Sequence, residues 1–182
     1  NLMKRDWNLE EKSWEFEKHF LLGKGKLENI YDGWCKKCEE NYNKLLVLES
    51  RINEILAESL NIEKEIDFYL DDRDICVKRP ELRKDIKSLI SYAVGCMFGR
   101  YSLDENGLIY AGGKWNSNRY ISLSADNDNI IPISDEMYFE DDIVSRFQDF
   151  LCIVYGKEYL EDNLQFIADA IGGSGDSRGN NS

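Results

Sequence analysis

The side chains of this sequence that could do chemistry are five cysteines, one histidine and a run of carboxylates. Cys35 and Cys38 form a CxxC pair, which supplies half of a tetrahedral thiolate zinc site. Cys76, Cys96, Cys152 and His19 offer no second paired spacing. Because Cys38 also falls on an apolar helical stripe, the pair reads as packing and not as metal or redox chemistry. A Ser-His-Asp or Cys-His mechanism would have to use His19, which lies in WEFEKHF without a glycine-framed nucleophile beside it. It is expected at the surface or the edge of the core.

Asp126, Asp128, Asp135, Glu136, Glu140, Asp141 and Asp142 invite a calcium, magnesium or small-hydrolase reading. DNDN lacks the loop glycine and the twelfth-position glutamate of an EF-hand, so helix capping and a solvated acidic face account for the cluster better. GKGK at Gly23 to Lys26 is no phosphate-binding loop, having neither its length nor its terminal Ser or Thr. The remaining feature is electrostatic. Lys78, Arg79, Arg83, Lys84, Lys87 and Arg100 stand against Glu81 and Asp85, a local net of +4 in a chain of net charge -12. That run is the candidate contact for DNA phosphates or for an acidic neighbouring domain, whereas the whole chain opposes unassisted binding to polyanions.

These residues must be positioned by elements that the apolar spacing reveals. Leu27, Ile30, Tyr31, Trp34, Cys38, Tyr42, Leu45, Leu48, Ile52, Ile55 and Leu56 recur at three and four, which draws one stripe along a helix. At 1.5 Å per residue it would be about 50 Å long, so a helical arm or a two-helix hairpin is expected from Leu27 to Leu60. The stripe is too short and irregular to fix a coiled-coil register. A mixed-charge connector follows from Asp71 to Arg79, with a short strand expected at Ile75 to Val77. Pro80 is expected in the first turn of a helix from about Glu81 to Arg100, buried at the centre of the domain. Its uncharged run, Ser88 to Gly99, is only a dozen residues, against about twenty for a bilayer span. Gly95 and Gly99 predict a tightly packed neighbour.

The stretch from 104 to 125 reads as irregular chain with at most a small β element. Ser134 or Asp135 is expected to open another helical region that Gly156 stops, and a last helix runs from Tyr159 to Ile171. The fold class is therefore mainly α. The expected organisation is a connecting segment over 1–26, arm and connector over 27–79, a helical core with a loop insertion over 80–171, and a disordered tail over 172–182. With 42% hydrophobic residues the chain can bury a real core. The absence of a signal peptide and the odd, irregularly spaced cysteines point to reduced thiols in the cytoplasm. Asn1, in place of an initiator Met, suggests an excised piece of a longer protein.

RKDIKSLISYAVGCMFGRYSLDENGLIYAGG, Arg83 to Gly113, resembles a segment of the BREX phage-defence adenine-specific DNA methyltransferases, the PglX family. Related segments occur in large single-chain methyltransferases of type II restriction systems. The resemblance extends to NLEEKSWEFEKHFLL (Asn8 to Leu22), to DNDNIIPISDEMYFEDDIVSRFQDFL (Asp126 to Leu151) and to EDNLQFIADAIG near the end. It implies a spacer or hinge lying after the catalytic domain and before target recognition, with those two domains and duplex DNA as partners and no membrane. The family's (N/D)PP(Y/F) motif and its S-adenosylmethionine loop do not occur, since Pro80 and Pro132 stand apart. No catalytic, cofactor or metal residue is transferred, and S-adenosylmethionine is implied only for the parent enzyme. An acidic protein-docking or DNA-mimic module is the alternative.

Overall fold

The computed structural model describes residues 2–61, 70, 75–133 and 141–172. These residues form five α-helices, Leu2–Trp7 (α1), Leu27–Leu60 (α2), Leu82–Met97 (α3), Ile143–Tyr155 (α4) and Leu160–Gly172 (α5), with 3-10 turns at Ser117–Arg119 and Lys157–Tyr159. No strand occurs among the described residues, so the short strand expected at Ile75 to Val77 is corrected to irregular chain, and 104–125 is the irregular chain expected, with one 3-10 turn and no β element. In the second region, side chains tie the loop together instead: Asp104 accepts from the Ile121 and Ser122 amides, and Ser102 donates to Arg119.

α3 is the central helix. It buries Asp85, Ile86, Leu89, Tyr92, Ala93, Cys96 and Met97 and packs against α4 and α5. Each fully buried Leu or Ile stabilises the fold by about 1.5–3 kcal/mol over its exposed state. Pro80 stands one residue before the N-cap Glu81, not inside the first turn. The Glu81 side chain makes no cap bond; instead the Asp85 carboxylate reaches back to the Glu81 amide at 3.0 Å. The other end closes earlier than expected. Gly99 has φ +74°, its amide donates to the Cys96 carbonyl at 3.1 Å, and the Arg100 amide donates to the Gly95 carbonyl at 2.8 Å, a Schellman closure that requires the left-handed residue. The tight neighbours expected at these glycines are aromatic rings. A Cβ at Gly95 would meet the Tyr101 ring at 2.6 Å, and one at Gly99 the Trp115 ring at 2.6 Å.

α2 is one uninterrupted helix of 34 residues, an arm and not a hairpin within Leu27–Leu60. Its N-cap Lys26 provides no side-chain bond, and the Leu27 amide donates instead to the buried Asn163 Oδ1 on α5 at 2.7 Å. Leu27, Tyr31, Trp34 and Cys38 bury the first third of the stripe. Past Cys38 the stripe is half-buried at Tyr42 and Leu45 and then runs on exposed: Ile52 is 49% exposed, Ile55 49% and Leu56 54%. Arg79 clasps the arm at its midpoint, its guanidinium 3.5 Å from the Tyr42 ring centroid.

The segment before α2 is sewn into the body. Phe16, His19 and Leu21 are buried; Lys18 donates to the Leu103 carbonyl, Tyr155 to that of Leu21, and the Gly107 amide to that of Glu17. α4 starts at Ile143, where Asp142 accepts from the Ser145 amide at 2.6 Å, and Gly156 ends it with φ +111°. Gly172, expected to open the tail, is the last residue of α5; the helix start expected at Ser134 or Asp135, the connector residues Asp71–Asp74 and residues 173–182 of the expected tail lie outside the described residues.

Candidate functional site

The basic run does not form one patch. Lys78 is half-buried, and its Nζ lies 2.6 Å from Glu10 and 4.8 Å from the Phe20 ring centroid; its amide donates to Asp6. Lys78 therefore fastens the N-terminal segment, and it holds the Glu10 carboxyl below the usual range through that hydrogen bond. Arg79 is occupied by Tyr42. Arg100 lies past the far end of α3, where its Nε donates to the Tyr101 hydroxyl at 3.1 Å.

Arg83, Lys84 and Lys87 do share a surface. They line an open shelf with Glu81 and Leu82 on the first turns of α3, where spacings of three and four place side chains on one face. Lys84 pairs with Glu81 at 3.2 Å, both largely exposed, an interaction worth only a few tenths of a kcal/mol in water. Three exposed cations fixed to a rigid helix can meet phosphate or carboxylate.

Behind that shelf lies a buried polar chain that spacing did not reveal. His19 is 3% exposed and not a surface or core-edge residue. Its Nδ1 accepts from the Leu21 amide at 3.2 Å, so Nε2 carries the proton and donates to Ser88 Oγ at 2.7 Å. Ser88 in turn donates to the Asp85 carbonyl at 2.9 Å. Burial pushes the His19 pKa down to about 3, with the charge of Lys78 adding to the effect. It also raises the Asp85 carboxyl, against the hydrogen bond from the Glu81 amide. The chain joins α3 to the N-terminal segment, and because Nε2 gives its proton to Ser88 instead of accepting one, His19 does not act as a base toward that hydroxyl.

Cys38 is buried and pushed up to about 11 by desolvation, which suits a packed thiol and not a thiolate ligand. Cys96 is buried in α3 beside Gly95. No group of three His, Cys, Asp or Glu side chains is placed to hold a metal among the described residues. In the acidic cluster, Asp142 caps α4, while Asp126 accepts from the Asp128 and Ile130 amides and lies 3.6 Å from Arg146. Asp135, Glu136 and Glu140 lie outside the described residues. None of the described helices is long and apolar enough to cross a membrane.

This helical body, with its cationic shelf and capping carboxylates, is related over nearly its whole length to a segment of large adenine-specific methyltransferases. The relatives are PglX of Lacticaseibacillus casei (strain Zhang), 38% identical over 183 residues, and BrxX of Escherichia coli O9:H4 (strain HS), 36% identical over 193 residues. The match covers 96% and 93% of this chain but only 15% and 16% of those proteins. No protein-family model matches the chain.

Proposed function

We propose that the chain is a non-catalytic helical spacer of a BREX-type adenine-specific DNA methyltransferase, holding catalytic and target-recognition domains in register on DNA. The observation that carries this reading is the match itself: nearly all of this chain aligns with about a sixth of two such enzymes. The sequence supplies none of the family's cofactor or adenine-binding motifs, so S-adenosylmethionine is assigned to the remainder of the parent enzyme, in the cytoplasm. Within the spacer, Arg83, Lys84 and Lys87 face phosphate, while Lys78 and Arg79 brace the segment and the arm.

The test is charge reversal, Lys84→Glu with Lys87→Glu, in the full-length enzyme. Duplex affinity is expected to fall and the slope of log K against log salt to flatten by about one unit per lost phosphate contact. An unchanged slope assigns the shelf to protein. A second reading, an acidic protein-docking module, draws on the uncovered stripe of α2, and that outcome would favour it.

A further inference from the structure

We propose that the recess between Tyr110, Trp115 and the 126–129 loop receives a single unpaired nucleobase. The recess holds about 250 Å³ and is lined by Tyr110, Trp115, Asp126, Asn127 and Asn129. That is below the usual range for whole small-molecule ligands, about 300–1,000 Å³, and suits one ring system.

Its two walls are fastened independently to the end of α3. On one side Trp115 stacks on Tyr120, centroids 4.8 Å apart and planes 9° apart, and stands edge-on to Tyr110 at 5.1 Å and 84°. Tyr120 donates to the Gly99 carbonyl at 2.6 Å, and the Trp115 ring occupies the space a Cβ on Gly99 would need. On the other side the Asp126 amide donates to the Met97 carbonyl at 2.7 Å, and Asp126 accepts from the amides of Asp128 and Ile130. Arg146 holds the same loop through the Ser124 carbonyl and Asp126.

The recess thus brings together an aromatic ring that is 42% exposed, Trp115, and two exposed asparagines, Asn127 and Asn129. Ring faces stack bases of any identity, and a carboxamide presents a donor and an acceptor to a base edge. The carboxamides of Asn127 and Asn129 make no hydrogen bond within the described chain, so both are available. The choice of a base over another flat ligand rests on the DNA-positioning reading above; the geometry does not.

The test uses adenosine with the 182-residue chain, because an uncharged nucleoside escapes the repulsion of a chain at -12. Titration is expected to shift the Trp115 indole N–H resonance saturably, with half-saturation on the order of a millimolar. Asn127→Ala, an exposed change, is expected to raise that value about fivefold, as losing one hydrogen bond would. Trp115→Leu, its fold checked by circular dichroism, is expected to abolish saturable shifts elsewhere in the loop. No saturable shift, an Asn127→Ala response equal to the parent's, or saturation by maltotriose in place of adenosine would overturn the proposal. The lysine reversal reads phosphate contacts in the full enzyme, so either test can fail while the other succeeds.

Discussion

An imidazole taken out of water loses much of its affinity for a proton, and His19 makes that loss measurable. Its folded-state pKa, about 3, lies below the ordinary value of about 6.5. The stabilisation that comes from keeping it neutral is thus fully present above pH 6.5 and is lost as pH falls toward 3. Between those limits the unfolded chain binds the extra proton, so each pH unit removes up to about 1.4 kcal/mol of stability. Urea midpoints of the chain are expected to fall steadily from pH 6.5 to pH 4, and His19→Gln to flatten that descent by one proton. Equal slopes for the two proteins would show His19 protonating without unfolding. The residue scale is where the sequence was least legible. A lone histidine among charged neighbours reads as surface, whereas its hydrogen-bond partner is Ser88, 69 positions away, and the Phe20 and Tyr92 rings lie against it.

At the scale of elements, α2 shows what periodicity can and cannot reveal. Spacings of three and four gave both ends of the helix, Leu27 and Leu60, because a continuous stripe is a property of the local sequence. Which part of the stripe is covered depends on what the rest of the chain brings to it, and only the part through Cys38, with Ala57, is buried. The start of the helix depends on another distant group. Asn163 serves as its cap from α5, and its own amide reaches the Gly25 carbonyl at 3.4 Å. Asn163→Ala leaves the buried Leu27 amide without a partner and is expected to cost about 1–3 kcal/mol. Denaturant unfolding would show it as a lower midpoint at unchanged slope. The Schellman closure at Gly99 escaped notice because the two glycines four apart looked like a packing motif, and a positive φ leaves no other mark on the sequence.

The whole molecule sets global charge against local charge. At physiological salt the Debye length is about 8 Å, so the three cations of the α3 shelf act only on what is already held beside them. Alone, the chain at -12 is expected to show no measurable duplex binding at 150 mM salt, by fluorescence anisotropy of a labelled duplex. Tight binding would mean that the shelf suffices without its neighbours. The mainly helical architecture and the buried central helix were readable from pattern. The division of the basic run was not, because Lys78 and Arg79 are claimed by Glu10 and Tyr42, partners far from them in sequence.

The clasp of Arg79 on Tyr42 has a mechanical consequence. Beyond it, α2 continues from Asn43 to Leu60, about 27 Å of stiff rod at 1.5 Å per residue. A bend of only about 7° at that point would carry Leu60 through about 3 Å. Whatever grips the far end of the arm would therefore receive an angular change too small to disturb the core as a displacement of several ångströms.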